Sequence, residues 1–563
     1  MYFQAFNGHL TGMLYCLSLA TVTCVRIMVK IKFTVMLRAE LGKNCIFVVT
    51  RKNIKLGMFN FTPLVRPLFE NRIRRSLRFI DYGDVVQREQ LYELIGQASF
   101  TEFGQKYKFI DSLTYDQFRE RVPLHSYEDL KPAIMRMVAG EKNVLWRGVT
   151  MRFAQSSGTS DGKSKYIPIT NDSLSRCHYQ GGFDVVAHYL NLVPDSRIFA
   201  GKSFILGGSF ANELKLKPGV RVGDLSANLI ENINPVANLV RIPGKRIALM
   251  EDWEQKLPAL VDSSINENVT NISGVPSWFL TVIEEVMRRK GVKCIHEVWP
   301  NLEVFFHGGI SFEPYRDRYM QLFDASRMHY LETYNASEGF FAVQTSWESN
   351  AMMLLLDVGV FYEFIPVEDA ESDNPRVLPL WEVEKGKTYA LVITANNGLW
   401  RYKIGDTVRV EQTAPVKIRI AGRTRHYINA FGEELMVYNA DEAIKRACRD
   451  TGAAVADYTA APVYAAEGKH GHHQWLVEFS VPPKDTEQFA ESLDSHLKEL
   501  NSDYEAKRYK GIFLDGPEIT VAREGVFERW LGETGKLGGQ RKVPRLSNDR
   551  ALISQLLDIN NEY

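Results

Sequence analysis

Residues 156–164 read SSGTSDGKS. Gly158, Gly162, Lys163 and Ser164 come within one residue of the phosphate-loop pattern G-x-x-x-x-G-K-[ST]. That pattern needs four residues between its glycines, and here only Thr159, Ser160 and Asp161 stand there. The context differs too. Such a loop runs from a strand into a helix, whose N-terminus helps hold the phosphate. Upstream, TMRFAQ (150–155) has strand character. Downstream, KYIPIT (165–170) alternates and carries Pro168, so it also reads as strand, and helix signals return only at TNDSLSRCHYQ (170–180). The stretch is therefore predicted to join two strands, which disfavours a P-loop kinase or ATPase.

The loop chemistry still suits a polyphosphate. Ser156, Ser157, Thr159 and Ser160 supply hydroxyl donors. Gly158 and Gly162 let backbone N–H groups turn toward one point and form an anion nest, with Lys163 or Lys165 adding charge. A plain polar hairpin loop has the same composition. The loop alone leaves both readings open.

The chain has 563 residues, enough for about two to four domains. Hydrophobic residues make up 45% and charged residues 24%, and formal net charge is zero. Nothing in that balance draws the chain toward nucleic acid, and no stable membrane insertion is expected. The six cysteines, at 16, 24, 45, 177, 294 and 448, form no C-x-x-C pair. They are read as reduced thiols of a cytoplasmic protein, with no metal framework. Residues 1–57 differ from the rest: Met1 to Val25 holds no Lys, Arg, Asp or Glu, and a basic, β-branched stretch follows. Positive charge after an apolar run is the reverse of a signal peptide. The segment is read as an atypical N-terminal extension, with a membrane-associating segment as the alternative.

From Met58 strands and helices alternate. A helix is expected after Pro67, another through QREQLYELIGQASFTEFGQKY, and a third in SYEDLKPAIMRMVAG, which opens with a capping-box-like Ser-x-x-Asp. KSFILGGSF, LEVFFHGG, MHYLETYNA, GVFYEFIPV and TYALVITA have strand character. The fold class predicted is α/β: a large domain over 58–422 with mixed sheets and helices, then a smaller α+β domain over 423–563.

Two further motifs change the weight of the loop. TYNASEGFFAVQ spans 333–344 and LWRYKIGDTVRV spans 399–410. SSGTS, then Y-x-A-S-E-G, then R-Y-[KR]-x-G-D, in that order, resembles the GH3 acyl-acid-amido synthetases, members of the adenylate-forming superfamily of acyl-CoA synthetases and luciferases. FYEFIPV (361–367) and GQRKVPR (539–545) are also similar to that family. The resemblance covers Met58 to the C-terminus. Lys403 stands where plant members have Arg, and HGGISFEP (307–314) looks more like the bacterial branch.

The resemblance implies ATP and Mg²⁺ as cofactors, a small-molecule carboxylic acid and an amino acid as substrates, and a mobile small domain. It implies that Ser156, Ser157, Gly158, Thr159 and Ser160 hold the β- and γ-phosphates. Glu338 would carry Mg²⁺, and Ser337 would contact the α-phosphate. Tyr334 would lie against the adenine, as would Gly308 and Gly309. Asp406, an acceptor-only carboxylate, would take the ribose hydroxyls. Arg423 would contact the nucleotide at the hinge. Lys542 would reach in from the small domain between acyl carboxylate and α-phosphate, although Lys536 lies six residues earlier. The acid pocket is expected near Gly207–Phe210 and around Phe340 and Phe341. The alternatives are a thioester-forming acyl-CoA synthetase and a non-catalytic nucleotide-binding protein.

Overall fold

The computed structural model describes residues 60–156, 165–210, 214, 216–310, 312–370, 372–423, 427–464, 470–508, 514–533 and 543–562. The expectations for residues 1–57, for Ser157–Ser160 and Lys163, and for Lys536 and Lys542 lie outside these.

The fold is the expected mixed α/β, with a large N-terminal and a smaller C-terminal domain. Strands β1 (Arg152–Ser156), β2 (Lys165–Pro168) and β4 (Arg221–Gly223) form a small sheet. β1 and β2 pair antiparallel and close on Ser156 opposite Lys165. The segment 156–165 therefore joins two paired strands, and no helix follows it directly. That removes the phosphate-loop geometry of kinases.

The large sheet has twelve strands: β3 (Lys202–Ile205), β5 (Arg241–Ile242), β6 (Val269–Gly274), β7 (Val304–His307), β8 (His329–Ala336), β9 (Gly339–Gln344), β10 (Met352–Leu354), β11 (Val360–Pro366), β12 (Leu378–Pro379), β13 (Thr388–Ala395), β14 (Tyr402–Thr413) and β15 (Val416–Arg423). Their order is β12-β11-β13-β14-β15-β10-β9-β8-β7-β6-β3-β5. β5, β3, β6, β7 and β8 are mutually parallel, and the strands from β8 to β12 pair antiparallel. β7, β9 and β11 are buried along their whole length, as their unbroken apolar runs require.

The smaller domain follows β15. Its two-stranded ribbon is β16 (Tyr427–Ile428) with β17 (Leu435–Met436). β18 (Ala454–Val463), β19 (His472–Val481) and β20 (Glu518–Ala522) form its main sheet. Helices Val437–Thr451 and Thr486–Leu500 supply apolar faces to its core.

Three local readings change. The first helix runs Thr62–Ser76 and carries Pro67 inside it rather than starting after it. The helix Gly83–Ala98 stops, and a new one, Glu102–Lys106, starts where Thr101 accepts from the Gly104 N–H. KSFILGGSF is strand only to Ile205, because Gly207 and Gly208 break away at the sheet edge. The Ser126 cap holds: Asp129 accepts from both the Ser126 N–H and its hydroxyl at 2.7 Å. Cys177, Cys294 and Cys448 are free thiols. Among the described residues no helix is long and apolar enough to cross a membrane.

Candidate active site

Parallel strands β3, β6, β7 and β8 end along one edge. Their register aligns Ile205 with Ser273, Gly274 with His307, and His307 with Glu332. Gly207–Gly208, Gly274, Gly308–Gly309 and Ser337–Glu338 come just after those ends or within a residue of them. The carboxyl edge of parallel strands is where open α/β sheets bind ligands.

The glycines are demanded by packing. A Cβ on Gly308 would lie 2.5 Å from the Thr333 carbonyl oxygen, and one on Gly208 would lie 1.9 Å from Asp224 Oδ2. So Gly308 does end the strand, and Thr333 of the neighbouring strand already excludes a side chain there. Gly309 has φ +84°, a left-handed conformation.

Ser337 and Glu338 are the two residues between Ala336 and Gly339, which pair across the β8–β9 turn. The turn thus projects Glu338 at the sheet edge, where it is 7% exposed. Its carbonyl accepts from the Asn397 amide at 3.0 Å. Behind the turn, Phe340 packs so closely on the helix Tyr179–Leu192 that a Cβ on Gly181 would lie 2.2 Å from it. Phe341 is fully buried and meets the Tyr334 ring edge-on at 5.0 Å.

Tyr334 and Asp406 form one unit. The tyrosine hydroxyl donates to Asp406 Oδ2 at 2.6 Å, and both side chains are buried. Asp406 also stands opposite Arg423 in the β14–β15 ladder, so these two expected nucleotide contacts share a register position. Ser156 ends β1 opposite Lys165.

The Gly207–Phe210 segment is tied down by groups the sequence did not flag. Asp224 accepts from the Ser209 N–H at 2.6 Å and returns its own N–H to the Ser209 carbonyl at 2.9 Å. Lys256, 3% exposed, donates to the Gly207 carbonyl at 2.6 Å and the Met250 carbonyl at 3.0 Å. Burial lowers the Lys256 ammonium to about 8 and raises the Asp224 carboxyl, each opposed by the other's charge. In sequence Lys256 is one more lysine of an amphipathic helix, and nothing marked it. His307, before Gly308, is buried and lowered to about 3, by burial first and then by Arg316.

Arg401 of the R-Y-K-x-G-D motif has a structural task. It is buried against Glu363, with Nε–Oε2 and Nη2–Oε1 both 2.9 Å, and Tyr115 donates to the same carboxylate at 3.1 Å. Beside Gly405, next to Asp406, opens a cavity of about 970 Å³ whose walls include Tyr127, Lys165, Lys403 and Met436.

The site fits the groups the resemblance implies. Glycine turns leave a flat edge, and two buried carboxylates border it. Among the described residues no three His, Cys, Asp or Glu side chains converge as a metal cage. A Mg²⁺ that draws most ligands from phosphates and water would need only one or two carboxylates, and Glu338 is the one that the resemblance implies.

Comparison with known proteins decides the family. The chain matches the GH3 family N-terminal domain over residues 72–328, the central domain over 353–423 and the C-terminal domain over 438–551. The chain belongs to the GH3 family. Among GH3 relatives, the indole-3-acetic acid-amido synthetase GH3.8 of Oryza sativa subsp. indica is 25% identical, covering 88% of this chain and 94% of its own. The 4-substituted benzoates-glutamate ligase GH3.12 of Arabidopsis thaliana is 24% identical, over 82% and 92%. Among solved structures, the GH3.15 acyl acid amido synthetase in complex with 2,4-DB shares the fold, with TM-score 0.57 at 17% identity, covering 89% of this chain and 97% of that one. A 2-hydroxyisobutyryl-CoA ligase shares it too, at TM-score 0.50 and 14% identity, over 85% and 92%. Both solved structures therefore share one fold with this chain.

Proposed function

We infer that this GH3-family chain is an ATP-dependent acyl-acid-amido synthetase. A carboxylate oxygen attacks the α-phosphorus of ATP and pyrophosphate leaves. An amine, supplied by an amino acid, then attacks the acyl carbonyl; the amide forms, AMP leaves and the amine loses a proton. The protein's tasks are positioning and charge stabilisation.

The observation that carries this reading is the convergence of Tyr334, Asp406 and the Ser337–Glu338 turn on one glycine-lined sheet edge. On this reading the segment 156–160 holds the β- and γ-phosphates, Ser337 contacts the α-phosphate and Arg423 meets the nucleotide. Asp406 orients the ribose hydroxyls, with Tyr334 holding its second oxygen and facing the base beside Gly308 and Gly309. Glu338 holds Mg²⁺, which supplies charge neutralisation at the phosphates when bound. Lys542 bridges acyl carboxylate and α-phosphate as a point charge. We further propose a large domain over 58–422, a small one over 423–563, and a cytoplasmic location, the last in keeping with three free thiols.

ATP–pyrophosphate exchange against pooled carboxylic acids tests the reading, with Lys542→Ala as control. Acid-dependent exchange that fails in the variant is expected. AMP release with an amino acid but not with coenzyme A separates amide from thioester formation. Failure of the protein to bind ATP would overturn the proposal.

A further inference from the structure

Thr170 stands two residues beyond β2, the strand that pairs with β1 and ends opposite Ser156. It is 5% exposed. A hydroxyl has one proton to give and lone pairs to accept with, and here both are used. Thr170 Oγ1 donates to the Asn396 carbonyl at 2.7 Å and accepts from the Ser173 N–H at 2.9 Å. Asn396 and Asn397 form the turn that follows β13. Ser173 opens the short π-helix Ser173–His178. One buried hydroxyl thus joins that turn to that helix.

Both elements go on to the Ser337–Glu338 turn. From the asparagine turn, the fully buried Asn397 donates its side-chain amide to the Glu338 carbonyl at 3.0 Å. Its amide oxygen accepts from the Leu399 N–H at 3.3 Å, which fixes which way the amide faces. Gly398 closes that turn at φ +91°, a left-handed conformation that a Cβ would oppose, and its N–H donates to the Ala395 carbonyl at 3.0 Å. From the π-helix, the sulfur of buried Cys177 accepts from the Phe340 N–H at 3.2 Å. Gly339 lies between the two contacts, and a Cβ there would come 3.4 Å from Cys177 Sγ. The turn is therefore held at the Glu338 carbonyl and again at the Phe340 N–H, and both contacts lead back to Thr170. Chains of buried hydrogen bonds of this kind reinforce one another in a low-dielectric interior.

We propose that Thr170 and Asn397 are positioning residues that hold the Ser337–Glu338 turn in a fixed place relative to the β1–β2 pair. The proposal rests on the ligase reading in taking Glu338 as the Mg²⁺ carboxylate and the end of the β1–β2 pair as the seat of the β- and γ-phosphates. Mg²⁺ takes oxygen ligands at about 2.0–2.1 Å in near-octahedral geometry. A carboxylate on one element and phosphates on another can share the ion only if the spacing between those elements is held to within about 0.5 Å. β2 sets that spacing at one end, and Thr170 passes it to the turn at the other. None of the motifs that carry the family resemblance includes either residue.

The test is amide hydrogen exchange on the full chain without nucleotide or metal. It is followed at Phe340, whose N–H goes to Cys177 and to neither Thr170 nor Asn397, and at Ile272 in β6 as a remote reference. Thr170→Val keeps shape and loses the hydroxyl; exchange at Phe340 is expected to rise on the order of tenfold beyond any change at Ile272. Asn397→Ala should do the same, and it decides the matter by itself if Thr170→Val does not fold. Thr170→Ser keeps the hydroxyl and should restore wild-type exchange. No rise at Phe340 in the folded variants, or an equal rise at Ile272, would overturn the clamp. Its role in the site is read from the Mg²⁺ concentration that half-saturates pyrophosphate exchange. That concentration should rise at least about fivefold in Thr170→Val and Asn397→Ala, with the KM of the acid within about twofold of wild type, and return in Thr170→Ser. An acid KM that rises in step with the Mg²⁺ requirement would overturn the positioning role. A loosened turn in a protein whose wild type shows no pyrophosphate exchange would leave the clamp standing and sink the ligase reading instead.

Discussion

The Tyr334 hydroxyl donates to Asp406 Oδ2 across 2.6 Å, joining β8 to β14 over a separation of 72 residues. Each was expected to meet nucleotide by itself. In the structure they are one unit. Tyr334→Phe removes one donor from a buried carboxylate, which costs about 1–3 kcal/mol. We expect a lower melting temperature and a modest rise in the KM for ATP. Asp406→Ala should raise that KM by on the order of tenfold or more, at a smaller thermal cost per unit of lost binding. If Tyr334→Phe abolished ATP binding outright, the tyrosine would be the ribose or base contact and Asp406 merely its anchor.

Glu338→Gln should remove Mg²⁺-dependent turnover while leaving the fold intact. The turn that carries Glu338 is fixed by the Ala336–Gly339 pair and by Asn397 on its carbonyl, main-chain contacts that the substitution keeps. Turnover assayed across a Mg²⁺ series, beside a melting curve, separates the two effects. Wild-type turnover at every Mg²⁺ concentration would take Glu338 out of the site.

Glu363→Gln should destabilise strongly and leave chemistry alone. The change strands Arg401 in the core, and breaking one side of a buried ion pair costs about 3–5 kcal/mol. Pyrophosphate exchange per folded molecule should stay close to wild type. Collapse of exchange with an unchanged melting temperature would mean that Arg401 serves the nucleotide after all.

Acid should weaken the protein through its buried histidines. Burial holds His178 and His188 down to about 4 and His307 to about 3. The unfolded chain takes up protons near pH 6.5, well before the folded one does. Stability is therefore complete above that value and falls as pH drops from 6.5 toward 4, by roughly 3 kcal/mol per histidine at most. Urea unfolding at pH 7 and pH 5 measures the loss, and His188→Gln should reduce it. An identical loss in the variant would assign the acid sensitivity elsewhere.

Much of this was legible in the chain. Pro168 and the alternation of KYIPIT were enough to place a strand after Ser156, and the β1–β2 pairing follows from them. The apolar runs of β7, β11 and β13 announced themselves because their strands are buried along most of their length. Tyr334, Glu338 and Asp406 were legible as motif members, and the structure bonds Tyr334 to Asp406 and puts Glu338 in the turn after β8. What sequence could not give is pairing between side chains distant along the chain. Arg401 is in a motif but bonds Glu363 in another strand, and Lys256 and Asp224 belong to no motif. Their roles come from burial at a shared place, which periodicity does not encode. The extent of the helix through Pro67 was hidden for a different reason: Pro67 is the sixth residue of Thr62–Ser76, past the first turn, so the helix runs on despite the bond that a proline cannot make.

The glycine turns at Gly207–Gly208 and Gly308–Gly309 put bare main chain at the sheet edge, the floor of the proposed site. Main chain presents the same atoms whatever the neighbouring side chains are. A chain with this floor can trade almost every wall residue and still offer a ligand the same base, which suits a family that keeps its shape at a quarter identity. Anyone redirecting this enzyme to a new acid should hold those four positions constant and vary the side chains around them.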